Sequence, residues 1–477
     1  MTNTTYTMTI DGRAVAGGAT IDVLNPATEE LIAQAPAGSR DEVDQAVQSA
    51  RAAFGSWAAT PIETRRRLVR ELGQTVLDNL EPLAQLLTSE QGKPLFEARI
   101  EVGSLGQLLK AQSTIDIPVE VAEDGPERIV ETHYVPIGVV AAIVPWNFPM
   151  LLSGFKIGPA LLAGNTMVLK PSPFTPLTAL KLGELTRDLL PPGVLNVVSG
   201  ADEVGPWLTA HPGVDKISFT GSTAIGKKVM ENAASSLKRV TLELGGNDAA
   251  IVLPDVDVNT VAEKLFWSAF GNNGQICIAT KRLYIHTDVY EPIRDAMADY
   301  ARRMTVGNGA VKGTRLGPIN NRPQYERVKS IIADARERGL TFIVGGEDIE
   351  GPGYFVPITL IDNPPENARV VAEEQFGPVL PLLRYDSIDE VIARANDCEY
   401  GLAGSVWSSD EDAAIAVARR LNTGTVFINH DQYLSPFAPF GGQKSSGIGV
   451  EGGVAGVLEY TYPQTLVRRK PQPAAAA

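Results

Sequence analysis

Cys277, Glu243, Asn147 and Lys170 are the side chains whose types and placement can act on a carbonyl and on a nucleotide. Cys277 is one of two cysteines in 477 residues and stands in Gly274-Gln275-Ile276-Cys277, just after Gly271-Asn272-Asn273, where helical and strand periodicity both lapse. A thiolate is a strong nucleophile toward carbonyl carbon, and loops between rigid elements commonly carry catalytic groups. A free cysteine more often packs as a small hydrophobe, and Cys398, after the helical run 387–396, reads that way. Asn147 lies in Pro145-Trp146-Asn147-Phe148-Pro149, where two prolines fix a turn and the amide offers an N–H to an oxyanion. Lys170-Pro171-Ser172-Pro173 places a cation where ribose or phosphate oxygens would sit.

Two further loops complete the set. Phe219-Thr220-Gly221-Ser222-Thr223-Ala224-Ile225-Gly226 combines a glycine that lets backbone approach a pyrophosphate with Ser222 and the free N–H groups of a helix start. Its spacing is not G-x-G-x-x-G, so spacing alone is a weak signal. Glu243-Leu244-Gly245-Gly246 brings a carboxylate to the same rim as Cys277. A lone glutamate at a strand end is usually a surface residue or a cap. Facing a thiol, it becomes a candidate general base.

These loops need strands to hold them. Apolar runs at 139–144, 166–169, 194–198, 216–219 and 240–244 read as buried strands, with helices near 152–162, 176–190, 203–210 and 222–234 between them. Such alternation predicts an α/β fold with a parallel sheet covered on both faces, and ligands bind beyond the carboxyl ends of its strands. A second α/β region follows, with strands at 249–253, 282–285, 379–383, 404–407 and 425–428 and helices at 389–395 and 413–421. Upstream, a short extended start leads to helices. Ser39 and Glu42 form a capping-box pattern before Val43, Ala46, Val47, Ala50 and Phe54, and a second helix runs from 62 to about 80 with a solvated cluster Arg65-Arg66-Arg67. The extended, partly polar runs 131–135 and 461–468 can pair as a small accessory sheet, and the final Gln472-Pro473 and alanines read as a frayed tail.

Composition narrows the class. A net charge of -14 disfavours nucleic acid or an anionic membrane as partner. Two cysteines cannot build a disulfide framework, the first residues lack the basic and apolar regions of a signal peptide, and no apolar run approaches a membrane span. The expected location is cytoplasmic, and no metal is expected.

The motifs quoted above, with Glu374-Gln375-Phe376-Gly377-Pro378 and Pro439-Phe440-Gly441-Gly442-Gln443-Lys444, resemble the aldehyde dehydrogenase superfamily over nearly the whole chain. The resemblance implies a Rossmann-like cofactor-binding domain (1–117 and 137–245), an α/β catalytic domain (246–445) and a small oligomerisation sheet (118–136 and 446–477), assembled as a homodimer or homotetramer. It implies that Cys277 attacks the aldehyde, Asn147 and the Cys277 N–H hold the oxyanion, and Glu243 activates water to hydrolyse the thioester. It also assigns NAD binding to Val144, Pro145, Trp146, Lys170, Ser172, Gly205, Phe219, Thr220, Gly221, Ser222, Leu244, Glu374 and Phe376.

Departures from the family pattern refine this. Pro173 stands where NAD-preferring members often carry a ribose-binding Glu, so NADP use stays open, although no Arg or Lys follows at 171–175 and NAD is preferred. Phe155 and Gly271 occupy positions that are Arg in succinate-semialdehyde members, which favours an apolar or aromatic aldehyde, with the helix residues Met150 to Lys156 as an apolar wall of the substrate funnel. His430, Asp431, Tyr433 and Leu434 fall in the variable specificity loop. Val450 and Val454 replace an Arg and a later Glu that assists deacylation, which implies that this proton relay is lost. The rival readings are a CoA-acylating dehydrogenase, which typically lacks the Glu at 243, and a non-enzymatic binding protein, which would be expected to lose Cys277, Glu243 or Asn147.

Overall fold

The five apolar runs of the first half become five parallel strands: Val139–Ile143, Thr166–Lys170, Leu195–Val197, Lys216–Thr220 and Arg239–Glu243. The computed structural model describes residues 5–470, so the C-terminal run read as a tail lies outside the described residues. Across the sheet the strands stand in the order third, second, first, fourth, fifth. The order reverses between the first strand and the fourth, and a crevice opens beyond their carboxyl ends. The loops that start at Val144 and Gly221 border that crevice. The first four strands are buried at every residue, as a parallel sheet covered by helices on both faces requires.

Upstream, the capping box forms. Ser39 Oγ accepts the Glu42 N–H at 3.3 Å while the Glu42 carboxylate accepts the Ser39 N–H at 2.7 Å, and the helix Arg40–Ala58 begins there. Its buried stripe ends on Trp57, with Phe54 only half-buried. In the helix Ile62–Asp78 the basic cluster is not uniformly solvated. Arg65 is buried and donates to the Ala58 carbonyl at 3.1 Å, because an aliphatic stem on the helix's inner face carries its guanidinium to an unpaired helix-end carbonyl. Two strands, Met8–Ile10 and Arg13–Val15, extend the sheet's far edge antiparallel, and two helices, Leu80–Gln91 and Leu95–Gln112, complete the layer.

The second sheet orders as Thr341–Val344, Thr359–Asp362, Val379–Tyr385, Thr280–His286, Asp248–Val252, Ala403–Trp407 and Thr425–Ile428. All pairs are parallel except the first, which is an antiparallel edge. Separate apolar clusters cover its two faces. No helix among the described residues is long and apolar enough to cross a membrane.

The accessory sheet pairs as expected. Thr461–Arg469 runs antiparallel to Arg128–Pro136, with Tyr462 opposite Val135 and Leu466 opposite Glu131, and Glu120–Asp124 adds a third strand. The segment 446–458, expected to belong with this sheet, packs elsewhere. Gly447–Ile448 pairs antiparallel with Arg239–Glu243 at the first sheet's edge, and Val457 joins that sheet's core, because the edge beside Glu243 offers unpaired backbone groups.

Candidate active site

Cys277 follows a 3-10 turn, Gly271–Gly274, in which Asn272 and Asn273 take positive φ of 47° and 57°. Left-handed conformations at non-glycine residues persist only where surroundings over-determine them. The surroundings do so. Asn272 N–H donates to Glu97 Oε1 at 3.1 Å, Gln275 Nε2 donates to the Asn272 carbonyl at 2.9 Å, and the Gly274 Cα faces the Gly377 carbonyl so closely that no Cβ fits.

Asn147, 3% exposed, reaches across to this turn from the first sheet, its Nδ2 donating to the Gln275 carbonyl at 2.9 Å. That bond fixes the amide and leaves its second N–H for a ligand. The Asn147 carbonyl accepts from Lys93 Nζ at 2.9 Å and from Asn272 Nδ2 at 3.1 Å. Lys93 in turn forms a 2.5 Å ion pair with Glu101, both side chains at 0% exposure, and its Nζ lies 3.7 Å from the Phe148 ring centroid. Glu101 Oε1 accepts from the N–H groups of Met150 and Leu151, which open the helix Pro149–Ala163. Neither Lys93 nor Glu101 stood out in the sequence, where a lysine and a helical glutamate read as surface charges. The missed signal is a charge on the buried stripe of Leu95–Gln112.

Glu243 is 4% exposed, and neither carboxylate oxygen has a hydrogen-bond partner. Burial raises its pKa well above the usual carboxylate range, Glu451 adds to the rise, and Lys156 opposes it. Burial likewise pushes the Cys277 thiol up to about 12, with Lys281 opposing and Asp248, Glu243 and Glu374 adding to the rise. The resting thiol is therefore protonated at neutral pH. Position 454 carries no carboxylate, as the sequence shows, but a second carboxylate lies near Glu243 from another position. Glu451, 2% exposed, pairs with the fully buried Lys156 at 2.6 Å and acts electrostatically on Glu243. Val454, where the family pattern places the assisting carboxylate, is 43% exposed.

A cleft of ≈ 420 Å³ joins the two sheets' loops, with Pro145, Trp146, Gly221, Ser222, Leu244, Cys277, Glu374 and Phe376 among its walls. Ser222 caps the helix Thr223–Ala234, Trp146 meets Phe376 edge-on at 5.4 Å, and Phe376 sits at φ 51°. Glu374 Oε1 accepts the Gly246 N–H at 3.0 Å. Val144 and Lys170 are neighbours at the strand ends, joined by a 3.1 Å backbone bond. Ser172 is buried and its Oγ accepts the Phe174 N–H, Phe219 is buried in the core, and Gly205 lies beside open space. The donor set fits a dinucleotide. Thr220 Oγ1 is buried without a partner, and Lys170 Nζ, on a side chain buried to 5% exposure, makes no hydrogen bond among the described residues. Its pKa is lowered to about 8 by burial, against the pull of Asp202 and Glu203.

A second cavity of ≈ 380 Å³ is lined by Phe96, Ile100, Phe148, Leu151, Trp267 and Ile276, with Gly271 and Asp431 also in its wall. The helix Pro149–Ala163 contributes less of this wall than expected. Leu151 faces the cavity, but Met150 and Phe155 are buried and Lys156 is paired with Glu451, because the 3.6-residue period turns them inward. In the loop after Thr425–Ile428, Leu434 packs against the same small apolar cluster (Ile278, Leu402, Ala403, Phe440) as Cys277 and Ile276, whereas His430 and Tyr433 are exposed.

The match to the aldehyde dehydrogenase family model spans residues 14–466, and the chain belongs to that family. A probable aldehyde dehydrogenase from a Pseudomonas species is 42% identical over 97% of this chain and 94% of its own length. The phenylacetaldehyde dehydrogenase of Pseudomonas fluorescens is 39% identical over 94% and 92%. An aldehyde dehydrogenase from Bacillus cereus, solved as its NAD+ complex, superposes with a TM-score of 0.96 at 36% identity, over 98% of this chain and 97% of that one. The protein is accordingly an enzyme that oxidises an aldehyde to the carboxylic acid with NAD(P)+.

Two outcomes follow from the buried charges. The Lys170 ammonium is present below a pKa of about 8 and lost above it, so cofactor affinity should fall as pH rises through about 8. Fluorescence titrations in steps across that range check this, and the slope should vanish in Lys170→Met. Lys93→Met leaves Glu101 buried and unpaired, a loss of about 3–5 kcal/mol. Its thermal midpoint should drop further than that of Lys93→Met/Glu101→Met.

Proposed function

We propose that the two carboxylate oxygens of Glu243, buried without a partner one residue before Leu244 in the wall of the cleft that holds Cys277, are the base of a hydrolytic dehydrogenase. This observation carries the reading, because an unpartnered buried carboxylate with a raised pKa is a poised proton acceptor. The Cys277 thiol gives its proton to water and its sulfur adds to the aldehyde carbon, opening the C=O double bond to the oxyanion of a thiohemiacetal. The free N–H of Asn147 and the Cys277 N–H stabilise the oxyanion. Lys170, Ser222, Glu374 and Phe376 would hold NAD(P)+, which would accept the hydride lost from the thiohemiacetal carbon as its oxyanion reforms the C=O bond of a thioester. Glu243 then takes a proton from water, the hydroxide attacks the thioester carbon, and the carbon–sulfur bond breaks to release the acid and the thiol. Lys156 and Glu451 hold the charge balance beneath Glu243.

The substrate is an apolar or aromatic aldehyde. Arg315 also stands in the wall of the ≈ 380 Å³ cavity, lying over the Phe96 and Trp267 rings, while the aromatic side chains Phe96, Phe148 and Trp267 there and the lack of an arginine at positions 155 and 271 support this. So does the name of the Pseudomonas fluorescens relative. The accessory sheet leaves Tyr462, Leu466 and Val467 exposed at 40%, 43% and 67% along its edge strand, so we assign it to assembly of a homodimer or homotetramer. The location proposed is cytoplasmic.

The test follows reduced-nicotinamide absorbance with aliphatic, aromatic and carboxylated aldehydes. Cys277→Ala should abolish turnover. Glu243→Gln should retain a stoichiometric first-turnover burst while steady-state turnover falls about 10²–10⁴-fold. A burst lost with the steady state, or turnover requiring CoA, overturns the assignment to Glu243. Light scattering at micromolar concentration should give a dimer or tetramer, and a monomer would remove the role given to the small sheet.

A further inference from the structure

The side chain of Lys281 holds the nucleophile's loop from beneath. It is the second residue of the strand Thr280–His286, and its side chain is 3% exposed. Its Nζ donates to the carbonyls of Ile276 at 2.9 Å, Cys277 at 2.6 Å and Ala279 at 3.3 Å. An ammonium has three protons, and three backbone oxygens take them all. The loop carrying Cys277 is thus wrapped around one cation. The same Nζ lies 3.8 Å from Glu374 Oε1, which takes its hydrogen bond from the Gly246 N–H at 3.0 Å. Glu374 is therefore tied to Lys281 by charge without a strong bond, and it keeps lone pairs for a ligand in the cleft it lines. The backbone closes the link, since Gln375 Nε2 donates to the Lys281 carbonyl at 3.1 Å.

Nothing in the chemistry of thioester formation or hydrolysis uses this lysine. A buried cation costs several kcal/mol to desolvate, and an apolar side chain would fill the same space more cheaply. Its placement has one consequence that an apolar residue would lack: whatever moves or neutralises Glu374 changes the field and the hydrogen bonding at Cys277. The charged groups acting on the thiol are Lys281, Asp248, Glu243 and Glu374, from four separate elements, and Lys281 is the one of opposite sign. Asp248, also buried, feels Lys281 as well.

We propose that Lys281 is a positioning residue that couples the cofactor's ribose end at Glu374 to the reactivity of the Cys277 thiol. This rests on the reading of Glu374 as a ribose ligand. A dinucleotide hydroxyl that engages Glu374 draws its carboxylate away from or toward the ammonium, and the three carbonyls of the Cys277 loop respond.

The test measures alkylation of Cys277 by iodoacetamide, without aldehyde, at one pH and with or without saturating NAD+. A Cys398→Ser background removes the second thiol. The parent should show a rate ratio, with over without NAD+, that departs from unity by about fivefold or more. Lys281→Met should bring the ratio to within about twofold of unity while NAD+ still binds by fluorescence, and Lys281→Arg should restore much of it. Glu374→Gln cuts the link at its other end with the three carbonyl bonds intact, and it too should flatten the ratio. If Lys281→Met does not fold, Glu374→Gln decides. A parent ratio of one, or an unchanged ratio in a folded Lys281→Met or in Glu374→Gln, overturns the proposal. Failure of the ribose reading registers separately, as NAD+ affinity left unchanged by Glu374→Gln.

Discussion

The carbonyl of Asn147 is the point on which the active site depends. It accepts from Lys93 on one side and Asn272 on the other, while the same residue's amide donates to Gln275. Three segments remote in sequence are thereby fixed to one another: the turn after the first strand, the end of an N-terminal helix, and the nucleophile's loop. Only in that register can an amide from one sheet and a thiol from the other flank one carbonyl carbon. The positive φ at Asn272 is held in place by its bonds to Asn147 and Gln275.

The interior around the site is charged to an unusual degree. Lys93, Glu101, Lys156, Glu451, Lys281, Asp248 and Glu243 all lie at or below 5% exposure. Each positive group has a distinct partner set. Lys93 and Lys156 close ion pairs at 2.5 and 2.6 Å, and Lys281 is enclosed by carbonyls. Glu243 alone among the carboxylates of this group has both oxygens without a hydrogen bond. Asp248 keeps one oxygen without a partner and Glu243 both, so Glu243 is the carboxylate of this group with the fewest bonds to give up, in keeping with the base role proposed for it.

What was legible in the sequence is what repeats. The five strands of the first sheet and five of the second declared themselves as apolar runs, and Asn147, Ser222 and Cys277 share one cleft, with Lys170 and Glu243 at the carboxyl ends of first-sheet strands. The pairing of 131–135 with 461–468 was legible because both runs are extended and bounded. What was not legible is what depends on burial of a polar residue. Lys93 and Glu101 look like solvent charges, Arg65 belongs to a cluster that reads as exposed, and Glu451 stands three residues before position 454, where the family pattern places the assisting carboxylate. The helix Leu95–Gln112 carries Glu101 and Gln112 on its buried face, which breaks the periodicity that would have marked it. Sequence patterns report hydrophobic periodicity, and these groups are inside for hydrogen bonding instead.

The pairing of Gly447–Ile448 with Arg239–Glu243 also has a consequence for the order in which the molecule is built. During synthesis the first sheet's other strands are all present once Glu243 has emerged, yet the edge beside it stays open until the whole second sheet has been made. The chain must leave, complete another sheet, and return. Closing so long a loop is slow relative to local pairing, and an open sheet edge is a template for wrong partners. Glu243, the proposed general base, thus lies on the last seam to close, and the nascent protein completes the surroundings of that carboxylate only when nearly all of it exists.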